Sequence, residues 1–130
     1  MTGNNFLLDT NIISALFKGN VSVTENILNA QSIFIPVISV GELHYGAALS
    51  ANSLKYIKDI DELIASYPIL HVDEDTCKHY GLIKAALRRK GKPIPENDIW
   101  IAAITLQHNL TLVTRDGHFN EVDGLSIEEW

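Results

Sequence analysis

Short apolar runs alternate along this chain with longer segments whose apolar residues recur about every three to four positions. Runs of strand length stand at Phe6-Leu7-Leu8, Ile33-Phe34-Ile35, Ile69-Leu70 and Thr111-Leu112-Val113, with a weaker one at Leu125-Ser126-Ile127. Helical periodicity covers Ile12 to Phe17, Val23 to Ala30, Val40 to Leu49, Leu54 to Ile64, Thr76 to Arg89 and Asp98 to His108. Capping-box patterns at Ser22-Val23-Thr24-Glu25 and Ser39-Val40-Gly41-Glu42 predict two helix starts. Gly91 closes a helix, and Pro93 and Pro95 stand before the next. Strands separated by helices pair in parallel, so the expected fold is α/β: one domain over residues 1–130, with a central, mainly parallel sheet of about five strands flanked by helices on both faces.

Composition narrows the setting. The 130 residues, just under half of them apolar, suffice for one core without staples. Cys77 is the single cysteine and no Cys/His grouping has zinc-finger spacing, so a reducing cytoplasm is the expected location. The Phe6 to Leu8 run stops at Asp9, too short for a signal peptide or membrane span. A net charge of -6 argues against non-specific coating of nucleic acid, which rests on Lys and Arg neutralising phosphates. The charge is uneven, however: Lys78, Lys84, Arg88, Arg89, Lys90 and Lys92 form one basic stretch, and nothing after Arg115 is Lys or Arg.

Four acidic residues have addresses that suggest chemistry. Asp9 follows the first strand, Glu42 lies in the first turn of the helix entered after the Ile33 strand, and Asp116 follows the Thr111 strand. In an open parallel sheet, ligands bind beyond the C-terminal strand ends. Asp98 opens the helix leading into the last of these strands, so its convergence depends on how that helix packs. Each also has an ordinary reading: Asp9 as a helix cap, Glu42 as the end of a capping box, Asp98 as a charge suited to a helix N-terminus, and Asp116-Gly117 as a turn. Capping alone would not require all four to be acidic. If they meet, their mutual repulsion raises pKa values unless a cation compensates, and hard oxygen donors suit Mg²⁺ or Mn²⁺ better than Zn²⁺.

The segments Leu7-Leu8-Asp9-Thr10-Asn11-Ile12, Gly41-Glu42-Leu43-His44-Tyr45-Gly46, Asn97-Asp98-Ile99-Trp100-Ile101-Ala102-Ala103 and Leu112-Val113-Thr114-Arg115-Asp116 with Phe119 resemble, in order, the successive motifs of PIN-domain ribonucleases, especially VapC-type toxins. The resemblance implies a PIN fold and an acidic metal-binding set of Asp9, Glu42, Asp98 and Asp116, with Asn11 and Thr114 in supporting polar positions. It implies hydrolysis of RNA by a metal-held water, leaving a 5′-phosphate and a 3′-hydroxyl. Asp9 and Asp98 are then direct ligands, while Glu42 and Asp116 act through water or orient the nucleophile. It also implies a homodimer and a VapB-type antitoxin that masks the cleft, with loss of the antitoxin blocking translation.

Other residues are read more openly. Glu96 is a further carboxylate near the site, or a solvated charge at a helix start; Arg88, Arg89, Lys90 and Lys92 either guide RNA or complete an exposed helix end. Arg115 contacts phosphate or pairs with a site carboxylate. The five histidines, His118 among them, show no zinc spacing and read as structural or surface residues, although His118 is close enough to Asp116 to reach substrate. Trp100 and Tyr45 read as core or subunit contacts, and Tyr45, Leu49, Ile57 and Ile60 offer a dimer face. Two rival functions remain: a phosphatase with Asp9 as nucleophile, which lacks the second Asp two residues on because Asn11 stands there, and a catalytically silent PIN-like binding module.

Overall fold

A computed structural model describes residues 4–130. Its strands are β1 (Asn5–Leu8), β2 (Ser32–Pro36), β3 (Ile69–Leu70), β4 (Thr111–Val113) and β5 (Ser126–Glu128). They form one sheet in the order β3-β2-β1-β4-β5, and every neighbouring pair is parallel. The helices are α1 (Thr10–Phe17), α2 (Val21–Asn29), α3 (Val37–Leu49), α4 (Ser53–Ser66), α5 (Glu74–Arg89) and α6 (Glu96–Gln107). No helix among the described residues is long and apolar enough to cross a membrane.

Strand side chains alternate between two packed faces. Phe6, Leu8, Ile33, Ile35 and Val113 join Ile12 and Ile13 of α1, Val23 of α2, Leu43 and Ala47 of α3, and Ile60 and Leu63 of α4. Leu7 and Leu112 point the other way, onto Ile83 and Leu87 of α5 and Ile99, Ala103 and Ile104 of α6. Because β1 and β4 are covered on both faces, they read as continuous apolar runs rather than alternating ones. Leu7, Leu8 and Leu112 are completely buried, each stabilising the fold by about 1.5–3 kcal/mol relative to exposure. The edges are short strands, β3 and β5, which present little unpaired backbone.

Local signals place the helix ends, and some differ from expectation. Gly91 does close α5: at φ 65° it takes the left-handed conformation, with its N–H on Arg88 O and that of Lys92 on Leu87 O. Asn109, at φ 52°, ends α6 in the same way and turns the chain into β4. Neither expected capping box forms. Asn20, not Ser22, caps α2 by accepting from Val23 N, so the helix starts earlier. α3 follows β2 without a loop, starting at Val37, which puts Ser39 inside the helix and moves Glu42 from its first turn to its second. The pattern missed the box that does form, in which Asp73 accepts from Thr76 N and the Thr76 hydroxyl accepts from Asp73 N.

Candidate active site

The C-terminal ends of β1 and β4 are adjacent, and the chain leaving each one supplies an acidic side chain. Asp9 N–H bonds to Val113 O at 3.0 Å, continuing the ladder, while its carboxylate turns over α1 and accepts from Thr10 N at 2.8 Å. The capping reading of Asp9 is therefore correct, and it coexists with a second role. Its other oxygen accepts from the Thr114 hydroxyl at 2.8 Å and from Asn11 Nδ2 at 3.4 Å. Thr114 Oγ1 in turn accepts from Asp116 N at 2.9 Å, so one hydroxyl ties the two acidic segments together. Asn11 adds a second tie, its Oδ1 accepting from Arg115 N.

The remaining two carboxylates come from helices. Glu42 Oε1 accepts from the Thr10 hydroxyl at 2.6 Å, and that hydroxyl lies 2.9 Å from the buried Ser39 Oγ. Glu42 Oε2 faces Asn97 Nδ2 at 3.4 Å, linking α3 to the first turn of α6. Asp98, in that same turn, is 9% exposed and meets the His118 ring, with Oδ2 at 3.3 Å from Nδ1. His118 Nδ1 also lies 3.0 Å from Asp116 Oδ1, and the backbone N–H of His118 donates to that oxygen at 2.9 Å. Asp9, Glu42, Asp98 and Asp116 thus meet at one place, supplied by the residue just after β1, by α3, by α6 and by the turn after β4.

Their electrostatics match close packing of like charges. Burial raises the pKa of Asp9; hydrogen bonds from Thr114 and Thr10 oppose this, and the charges of Glu42 and Asp116 add to it. Asp98 is pushed up to about 6, first by burial and then by the charges of Asp116 and Asp9, with His118 pulling it down. A cation would relieve both. The donors are carboxylate oxygens and one imidazole nitrogen, with no thiolate beside them, because Cys77 is exposed on α5; this set fits a hard divalent ion.

Other expected site residues lie elsewhere. Glu96 does not turn toward the cluster: its carboxylate bonds to the Tyr80 hydroxyl and to Lys84 Nζ, clamping α6 to α5, and these bonds hold its pKa down. Arg115 pairs with none of the site carboxylates; its Nε donates to Trp130 O at 2.9 Å. It does line, with Asn11, Ser14, Lys18 and Asn20, an open pocket of about 440 Å³ along α1, whose Asn11 also bonds to Asp9. Arg88, Arg89 and Lys92 are exposed at the end of α5, while Lys90 is engaged by Asp123 at 3.3 Å. Trp100 stacks on Tyr80, with ring centroids 3.9 Å apart. Of the expected dimer face, Tyr45 and Leu49 are well exposed and Ile57 is partly so, but Ile60 is fully buried in the core. Sequence reading undervalued His118, whose only linear signal is its position two residues after Asp116.

Comparison with known proteins agrees with this geometry. Residues 6–125 match the family profile of the PIN domain. Ribonuclease VapC1 of Haemophilus influenzae (strain R2866) is 32% identical over 96% of this chain and 97% of its own length. A tRNA(fMet)-specific endonuclease VapC of Shigella flexneri is 33% identical with the same coverage. In structure, the chain superposes on the DNA-bound VapBC of Salmonella typhimurium with a TM-score of 0.90 at 31% identity, covering 98% of both chains. The chain belongs to the PIN-domain family, in its VapC branch.

Proposed function

We propose that this protein is a divalent-metal-dependent endoribonuclease and the toxin of a VapBC-type pair, hydrolysing RNA phosphodiester bonds and blocking translation in the cytoplasm when its antitoxin is lost. The observation that carries this reading is the meeting of Asp9, Glu42, Asp98 and Asp116, two of them with raised pKa values, in a chain matched end to end by VapC ribonucleases. Mg²⁺ is the proposed ion, with Mn²⁺ as its natural substitute. When bound, it lowers the pKa of a coordinated water and offsets charge on the phosphodiester.

The chain's own groups do the positioning. Asp9 and Asp98 hold the ion directly, being the most buried of the four and the two whose pKa values are raised. Thr114 and Asn11 fix the Asp9 carboxylate by hydrogen bonds, Asp116 would face the ion beside Asp98, and Glu42 would orient water at the edge of the site. The pocket bordered by Lys18 and Arg115 leads an RNA strand toward Asp9. Exposed Arg88, Arg89 and Lys92 attract the backbone on the approach to α6, a steering role consistent with a molecule of net charge -6 whose cations are grouped. The cognate partner is a VapB-type antitoxin whose basic or polar segment covers the carboxylates, as solved relatives are VapBC complexes. Tyr45 and Leu49, on the exposed side of α3, belong to a homodimer contact.

The decisive experiment incubates pure protein with end-labelled RNA, with and without Mg²⁺, beside Asp9→Asn and Asp98→Asn. Cleavage that needs the ion, leaves 5′-phosphate and 3′-hydroxyl ends and vanishes in both variants is the expected result. Phosphate released from small esters while RNA stays intact would establish a phosphatase instead.

A further inference from the structure

One member of the cluster is not a carboxylate. His118 Nδ1 lies 3.0 Å from Asp116 Oδ1 and 3.3 Å from Asp98 Oδ2, and one donor atom from each of these three residues falls within 4.8 Å of the others. Resting on the metal-dependent reading above, we propose that His118 is a nitrogen ligand of the ion held by Asp98 and Asp116, and that it tilts the site toward Mn²⁺ over Mg²⁺.

The spacing is that of ligands around a single centre. Donors 2.0–2.2 Å from a six-coordinate ion stand about 3 Å apart along each edge of the octahedron. Both His118 separations are close to that length, and the two oxygens come from different elements, α6 and the turn after β4. The backbone that carries the ring is held in place. His118 N–H donates to Asp116 Oδ1, starting the short 3-10 turn Gly117–Glu121, and Phe119 anchors that turn with a completely buried side chain. The His118 side chain remains 53% exposed, so an ion arriving from solvent can reach it.

Ion preference follows from donor chemistry. Mg²⁺ favours oxygen and keeps its waters, whereas Mn²⁺ accepts imidazole more readily. A site of carboxylates alone discriminates little; exchanging one oxygen position for nitrogen moves preference toward the transition metal. The competing account keeps the ring as a hydrogen-bond partner that turns the two carboxylates without touching the ion. That account predicts equal effects on both ions and no electronic contact between nitrogen and metal.

The test uses full-length protein stripped by chelator and reloaded with Mn²⁺, as wild type and His118→Gln. Pulsed electron paramagnetic resonance reads nitrogen coupled to the manganese spin, and titration with Mg²⁺ as competitor gives both affinities. Wild type should show the nitrogen coupling and the variant should lose it. Mn²⁺ affinity should drop about 10-fold or more in the variant, against a change for Mg²⁺ of less than about 3-fold. Mn²⁺ bound by wild type without nitrogen coupling, or both ions weakened equally, overturns the His118 inference alone if RNA cleavage still requires metal. A wild-type protein that binds neither ion overturns it together with the metal-dependent reading.

Discussion

At Asp98 two penalties act together: the carboxylate is withdrawn from water, and Asp116 and Asp9 stand close by with the same charge. Its pKa near 6 exceeds the ordinary value of 3.8, so between those limits the folded chain keeps a proton that the unfolded chain has released. Stability from this group is highest at low pH, declines as pH rises from about 4 to about 6, and stays lower above that by up to about 3 kcal/mol. Metal-free Asp98→Asn should accordingly be more stable than wild type to urea at pH 7, with little difference at pH 4, although it should cut RNA at least 100-fold more slowly. A variant less stable than wild type at pH 7 would contradict the charge-repulsion account. Saturating Mg²⁺ should stabilise wild type by about 2–3 kcal/mol at 100 times its dissociation constant, and a thermal melt at pH 7 that ignores Mg²⁺ would count against the site. Thr114 makes a complementary case, since its hydroxyl donates to Asp9 and accepts from Asp116 N. Thr114→Val should cost about 1–3 kcal/mol and raise the Mg²⁺ concentration needed for cleavage, with Thr114→Ser restoring both. The acidic identities were legible as a set in the sequence; the Thr114 bridge was legible only as a polar position, because a hydrogen bond spanning 105 residues leaves no linear trace.

Among elements, α6 has the most to coordinate: it delivers Asp98, is clamped to α5 by Glu96, and is tied again at its far end. There Gln107 donates to Asp73 Oδ1 at 2.8 Å, beside the capping box that starts α5. Asp73 thereby serves two helices, and these bonds hold its pKa below the usual carboxylate range. Asp73→Ala should lower the urea midpoint by removing the N-cap of α5, while leaving cleavage unchanged well below the melting temperature. Urea unfolding paired with an RNA assay separates the two, and a large activity loss at full folding would show that α6 placement depends on this end as well. Element types and order were readable because each run has a clear period. Starts were less so: α3 springs directly from β2, and a Ser-x-x-Glu pattern inside a helix looks identical to one at its beginning.

For the whole molecule, the relevant quantity is how cations are spread over a surface with net charge -6. Raising salt should increase KM for RNA steeply while kcat holds, because screening acts on approach rather than on the buried carboxylates. Joint replacement of Arg88, Arg89 and Lys92 by Ala should raise KM and flatten that salt dependence; a fall in kcat with KM unchanged would remove the steering role. The exposed Tyr45 and Leu49 give a separate test, since Tyr45→Asp with Leu49→Asp should convert a dimer to monomer in sedimentation, and a wild type already monomeric would dismiss that contact. The sequence alone determined the parallel α/β architecture and the four acidic residues, since apolar period and residue chemistry are local properties that one chain displays openly. Only tertiary structure decided that Asp98 reaches the others, that Glu96 turns to Tyr80 and Lys84, that Ile60 is core, and that His118 faces two carboxylates. Each of these depends on the angle and register at which helices pack on the sheet, which arises from many side chains at once and is written at no single position.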